Sequence, residues 1–216
     1  MKNIVLFGGG NIAQAVAEGL INANFKAGNI FYIDRNLKNQ KALKKLKIKN
    51  LTKYTSTKVD LFILAVKPKD AIDAYKQILN DFEDPKIVSF VAGIKSKKYL
   101  KFNQDIQFLR AMPNTSARFN LGITAIYNSS FSKNNLAKVS RLFKKIGIVM
   151  DLDNEAKIDT FTGMIGSGPA YFFYLLKSYE KKLMSLCNQD KKKVNAAMVN
   201  LIKGVGSSIE NNNNLD

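Results

Sequence analysis

The residues best suited to chemistry stand near the start of the chain, as Gly8-x-Gly10-x-x-Ala13. Four apolar residues, Ile4-Val5-Leu6-Phe7, precede them, and Ala13, Val16, Ala17 and Leu20 follow at helical spacing. Between a strand and a helix, glycines so spaced serve phosphate binding. Gly8 permits a sharp turn. Gly10 lets an anion reach the backbone, and Ala13 lets the helix pack close to the strand. The free N–H groups and positive end of the helix then face a pyrophosphate. The pattern predicts a dinucleotide site; a glycine turn in some other α/β unit is the plainer alternative. Asp34 and Arg35 close the next apolar run, Ile30-Phe31-Tyr32-Ile33. That is roughly twenty residues on, where such a unit places the residue that faces the adenosine ribose. An acid there suits the free 2′-hydroxyl of NAD, and an arginine the 2′-phosphate of NADP. The chain carries both, so residue types alone leave the choice open. For Arg35 a solvated strand end is the alternative.

Three further positions have chemical potential. Lys67-Pro68 closes the apolar run Asp60–Val66, and the carboxyl end of a central parallel strand is where ligands sit in an open α/β sheet. Lys67 is placed to face a cofactor, or else is one exposed lysine among many. Asn114-Thr115 follows Pro113 and either edges a ligand pocket or simply makes a turn. Ser167-Gly168 precedes Pro169 at a helix start, where free N–H groups suit a carboxylate; tight helix packing through small residues is the competing reading. The inventory also excludes. With no His, a His-based acid, base or triad is out, and with a single cysteine, Cys187, neither a disulfide within the chain nor a zinc cluster forms. No metal site is expected, and no side chain is assigned a catalytic role.

The elements that must position these residues alternate. Strands are expected at Ile4–Phe7, Ile30–Arg35, Asp60–Val66, Ile87–Gly93 (a strand with its turn), Ile106–Arg110, Leu121–Tyr127 and Gly147–Leu152. Helices are expected over Leu37–Leu46, Ala71–Phe82 and Lys133–Ile146, besides the one after the glycines. The alternation predicts an α/β fold, a Rossmann-type doubly wound sheet. Beyond Asp153 only helices are expected, from Ile158 to Met164, from Gly166 to about Leu186 and from Lys193 to Ile209, with a frayed Asn-rich tail at 211–214. The predicted organisation is thus a dinucleotide-binding domain over residues 1–153 and a small all-helical domain over 154–216.

Hydrophobic residues make up 46% of the 216, enough for a globular core. No apolar run is long enough for a membrane span and no signal peptide precedes the first strand, so a cytoplasmic protein with no membrane partner is expected. The net charge of +17 raises nucleic-acid binding as an alternative. The basic residues, however, are 30 Lys against 4 Arg, scattered along the chain, which reads as a solvated surface; no nucleic-acid partner is expected.

Taken together, Phe7-Gly8-Gly9-Gly10-Asn11-Ile12-Ala13, Ala65-Val66-Lys67-Pro68, Ser89-Phe90-Val91-Ala92-Gly93, Arg110-Ala111-Met112-Pro113-Asn114-Thr115 and the run from Thr162 through Gly166-Ser167-Gly168-Pro169-Ala170-Tyr171 resemble the pyrroline-5-carboxylate reductase family in order and spacing. The turn at Met112–Thr115 and the helix start at Gly166–Tyr171 are the specific parts. The resemblance implies reduction of 1-pyrroline-5-carboxylate to proline, the last step of proline biosynthesis, by an NAD(P)H-dependent oxidoreductase. It also implies a homodimer through the helical domain. By position it implies cofactor contacts from Phe7, Gly8, Gly9, Gly10, Asn11, Ile12, Arg35, Ala65, Val66, Lys67, Pro68, Phe90, Val91 and Ala92, and substrate contacts from Asn114, Ser167 and Gly168. Arg35 stands where the family handles the 2′-phosphate, which favours NADPH, with NADH as the alternative. One departure is expected to matter: the family's Thr-Ser-Pro-Gly-Gly-Thr-Thr-like substrate loop and the helices after it have no counterpart in residues 1–216. The competing expectation is therefore an NADP(H)-binding protein without turnover.

Overall fold

The architecture is that of a computed structural model, which describes residues 1–51 and 58–212. Its centre is β1 (Ile4–Phe7), buried along its whole length. Alternate residues of β1 serve opposite faces. Ile4 and Leu6 join one core with Val16 and Leu20 of α1 (Asn11–Asn22), while Val5 and Phe7 join another with Tyr75 and Ile78 of α3 (Ala71–Asp81). A continuous apolar run is what a strand covered on both faces requires.

Eight strands form one sheet in the order β3-β2-β1-β4-β5-β6-β7-β8. Besides β1 these are β2 (Ile30–Ile33), β3 (Lys49–Asn50), β4 (Leu61–Leu64), β5 (Ile87–Ser89), β6 (Phe108–Pro113), β7 (Gly122–Asn128) and β8 (Gly147–Asp151). The first six are mutually parallel, and the order 3-2-1-4-5-6 is that of a Rossmann sheet. Leu43 of α2 (Leu37–Lys45) and Val139, Leu142 and Phe143 of α5 (Lys133–Lys144) complete the first core; Tyr99 of α4 (Ser96–Leu100) joins the second. The doubly wound reading of the sequence stands.

Several details depart from the expected elements. The edge strand β3 is short and polar, so it carries no hydrophobic period. β6 runs on through Met112 and Pro113, where the sequence suggests a turn, because β7 returns antiparallel to it with Pro113 opposite Thr124. The reversal is made by a 3₁₀ turn at Thr115–Phe119 and by Asn120 in the left-handed region. No α-helix separates β6 from β7, so the strict alternation ends there. The helix expected over Ile158–Met164 is α6 (Lys157–Phe161) followed by a single π turn at Thr162–Gly166.

The chain forms two compact units, Met1–Ser167 and Gly168–Asp216. The expected change of character near Asp153 precedes this division, since Ile158 and Phe161 of α6 bury themselves against Met112 and Ala125 of the sheet. The second unit consists of α7 (Gly168–Leu186) and α8 (Lys191–Asn212) among the described residues. Asp190 caps α8, accepting from the N–H groups of Lys192 and Lys193. Of the expected frayed tail, Asn211 and Asn212 belong to α8, and residues 213–214 lie outside the described residues. No described helix is long and apolar enough to cross a membrane.

Candidate functional site

The order of the sheet reverses between β1 and β4, and a crevice opens where their carboxyl ends lead into loops. The loops are laced together by backbone hydrogen bonds. Gly8 N–H donates to the Ile33 carbonyl at 2.9 Å, Ala65 N–H to Phe7 at 2.8 Å, and Phe90 N–H to Leu64 at 2.9 Å. The segments read from sequence as one site, at Phe7–Ile12, Asp34-Arg35, Ala65–Pro68 and Phe90–Ala92, are thus neighbours along a single sheet edge.

The three glycines do different work. Gly8 has φ +101°, and a Cβ there would sit 2.7 Å from the Ala65 carbonyl carbon and oxygen and 2.8 Å from Val66 N. Gly8 therefore permits the turn and lets the loops after β1 and β4 touch. A Cβ on Gly9 would meet Leu43 Cδ1 at 2.7 Å. Gly10 differs: a Cβ there would meet nothing within 4 Å. It is the N-cap of α1, whose first turn has neither a capping side chain nor an acid. The first intrahelical bond there runs from Gln14 N–H to the Gly10 carbonyl, which leaves the N–H groups of Asn11, Ile12 and Ala13 facing outward. Open space in front of uncapped donors suits an anion.

At the end of β2 the two charged side chains part. Asp34 turns inward: Oδ2 accepts from Gly9 N–H at 2.5 Å and from Asn39 Nδ2 at 2.9 Å, and Oδ1 accepts from Asn36 N–H at 2.5 Å. Its carboxylate holds the glycine loop to the start of α2. Burial, and after it the Asp34 charge, pushes the Tyr32 phenol up. Arg35 turns outward, 94% exposed, with Nη2 at 4.0 Å from Asp70 Oδ1. A pair so exposed is worth about 0–1 kcal/mol, so the guanidinium is free for a stronger anion.

Other expected residues fall as follows. The side chains of Phe7, Phe90 and Val91 are buried in the cores, so a ligand there meets backbone. Ala65, Val66 and Ile12 are half-buried, Asn11 is exposed, and exposed Lys67 and Pro68 open a 3₁₀ turn. Asn114 is tied into the fold. It is buried; Oδ1 accepts from Ile123 N–H at 3.2 Å and Nδ2 donates to the Ile165 carbonyl at 3.5 Å. It pins the π turn to β7. Ser167 N–H donates to Thr162 O at 3.0 Å and ends the first unit; Gly168 begins the second.

One cluster was not among the expected site residues. Arg110 is buried in β6, with Nη1 at 3.2 Å from Glu155 Oε1. The available signal was an arginine, one of only 4, inside an otherwise apolar strand.

Comparison with known proteins follows this geometry. The family described as NADP oxidoreductase coenzyme F420-dependent matches residues 3–93. A pyrroline-5-carboxylate reductase of Staphylococcus aureus is 30% identical over 218 residues, covering 96% of this chain and 79% of its own. The structure of a 1-pyrroline-5-carboxylate reductase from Streptococcus pyogenes superposes with a TM-score of 0.78 at 25% identity, over 96% of this chain and 79% of that one. A Plasmodium falciparum pyrroline carboxylate reductase with NADP bound has a TM-score of 0.84 at 21% identity, over 96% and 78%.

Proposed function

We propose a function from one premise: the chain belongs to the pyrroline-5-carboxylate reductase family. It reduces 1-pyrroline-5-carboxylate to proline with NADPH. The observation that carries this reading is the cradle at the β1/β4 crevice, where the Gly10 position is open in front of the uncapped α1 N-terminus and Arg35 stands free beside it. These residues fit a phosphorylated dinucleotide. The N–H groups of Asn11 to Ala13 hold the pyrophosphate, Asp34 keeps Gly9 in place, and Arg35 takes the 2′-phosphate as a charge-assisted fork. The backbone at Ala65–Pro68 and Phe90–Ala92 continues the binding edge across the switch point.

When bound, the cofactor supplies a hydride to the C=N carbon of the cyclic imine. The chain's share is position and electrostatics. An imine that arrives protonated needs no strong general acid, which accords with a chain without His. Ser167 and Gly168 stand to hold the substrate carboxylate, with the Ser167 N–H itself already given to the Thr162 carbonyl, and Asn114 supports that segment by pinning its turn. We assign dinucleotide binding to the sheet unit and substrate contacts and dimerisation to the helical segment. α7 and α8 expose Phe172, Phe173, Tyr174, Val199, Ile202 and Val205, apolar side chains that a second subunit would cover, which supports a homodimer. We place the protein in the cytoplasm.

The test is NADPH oxidation, followed by absorbance, on adding pyrroline-5-carboxylate to the full chain. Turnover to proline is expected. Tight NADPH binding with no turnover at any substrate concentration would favour the reading as a cofactor-binding protein without activity.

A further inference from the structure

Arg110 sits mid-strand in β6 and is 1% exposed. A buried guanidinium persists only when paired, and an apolar side chain of similar volume often does as well for stability. Its place in the strand therefore calls for a geometric reason. Nη1 donates to Glu155 Oε1 at 3.2 Å, Nη2 lies 3.7 Å from Asp159 Oδ1, and Nη2 donates a long hydrogen bond, 3.5 Å, to the Val91 carbonyl. The same Glu155 oxygen accepts from the N–H and the hydroxyl of Ser96 at 2.6 and 2.7 Å, and Ser96 Oγ shares a 2.6 Å hydrogen bond with Ser129 Oγ.

The partners lie on two segments of separate importance. Val91 belongs to the loop that leaves the carboxyl end of β5. That loop is across the switch point from Arg35, where the nicotinamide half of a dinucleotide lies if its adenosine half lies over β2. Glu155 and Asp159 lead into and form α6, which continues through the π turn to Ser167. One guanidinium thus ties the cofactor side of the sheet edge to the segment that ends at Ser167.

We propose that Arg110 is a positioning residue for hydride transfer, holding the Val91 loop in register with the segment running from Glu155 to Ser167. The inference rests on the reductase reading of the site. It touches neither substrate nor cofactor; it acts through the Val91 carbonyl and the two carboxylates. Hydride transfer is sensitive to such register, because a misplacement of about 1 Å costs on the order of a hundredfold in rate.

The experiment compares binding of NADPH and of 2′-phospho-ADP-ribose, which lacks the nicotinamide, to the full chain and to Arg110→Met, Arg110→Lys and Glu155→Gln, with kcat and KM measured alongside. Arg110→Met is expected to bind the fragment within about twofold of the parent chain. It should lose most of the extra affinity for NADPH and at least about tenfold in kcat. Arg110→Lys keeps the charge without the fork and should recover part of both. Glu155→Gln keeps an acceptor for Ser96 and should reproduce the loss in milder form, so it decides the matter if Arg110→Met does not fold. Equal weakening of fragment and NADPH, or an unchanged ratio in every variant, would overturn the proposal. If the parent chain binds NADPH without turnover and Arg110→Met still lowers the ratio, the reductase reading fails and the hydride-transfer role with it, and only the placing of the Val91 loop against the cofactor is supported. A parent chain that binds neither ligand overturns both.

Discussion

Replacing Gly8 and Gly10 separately with alanine should split stability from cofactor binding. At Gly8 the new Cβ would lie 2.7 Å from the Ala65 carbonyl and 2.8 Å from Val66 N, all backbone atoms, at φ +101°. A non-glycine residue held in such a region costs about 1–3 kcal/mol, and overpacking adds about 1–3 kcal/mol. The expected loss is about 2–6 kcal/mol, a large part of the roughly 5–15 kcal/mol that holds a domain folded. For a chain of this size it corresponds to a midpoint lowered by about 4–24 °C. At Gly10 the Cβ meets no atom within 4 Å and the backbone has φ −68°, so only the poorer N-cap matters, at about 1 kcal/mol or less. That Cβ instead fills the space in front of the α1 donors. Losing one charge-assisted hydrogen bond to the pyrophosphate is worth about 1.5–3 kcal/mol, or roughly ten- to a hundredfold in Kd. Thermal unfolding of both variants, with NADPH titration of Gly10→Ala by fluorescence, gives the two numbers. Gly8→Ala unfolding with the parent chain, or Gly10→Ala binding NADPH as tightly as the parent, would refute the assignment of the two roles.

Arg35→Ala should weaken NADPH by roughly ten- to a hundredfold and NADH hardly at all; equal losses by calorimetry would remove the 2′-phosphate from its role. Burial, and after it the neighbouring Tyr99, pushes the Tyr75 phenol up to about 12. The phenol ionises near 10 when unfolded, so its contribution is intact below about pH 10 and is lost as pH rises toward the folded value. Tyr75→Phe, which removes a hydroxyl without a partner, should blunt the alkaline loss of stability measured by urea unfolding. Burial raises the Asp60 carboxyl, but the N–H groups of Asn3 and Lys2, with the N-terminal and Lys86 charges, hold it below its ordinary value. The advantage of the parent chain over Asp60→Asn should be full at neutral pH and vanish as pH falls through the folded value; a constant difference would count against it.

Much of the fold and half of the site are written locally. Ile4–Phe7, the glycines and the period of α1 name a strand, a turn and a helix because each depends on neighbours within a few residues. The alternation of elements up to β6 likewise implies a doubly wound sheet, since parallel strands need crossovers. Packing between distant segments was not legible. Asp34 and Arg35 are adjacent in sequence, yet one holds Gly9 and Asn39 and the other faces solvent. Asn114 reads equally as a pocket residue or a turn until Ile123 and Ile165 are brought against it. The run of β6 through Pro113 depends on β7 returning beside it, and the Arg110–Glu155–Ser96 cluster joins residues up to 59 positions apart. Sequence alone determined most of the elements and the residue types lining the carboxyl edge of the sheet, because local sterics and hydrophobic period decide those. Only the tertiary structure decided which side chains support that edge and which are left free to bind, because a hydrogen bond or ion pair goes to whichever partner folding brings within reach.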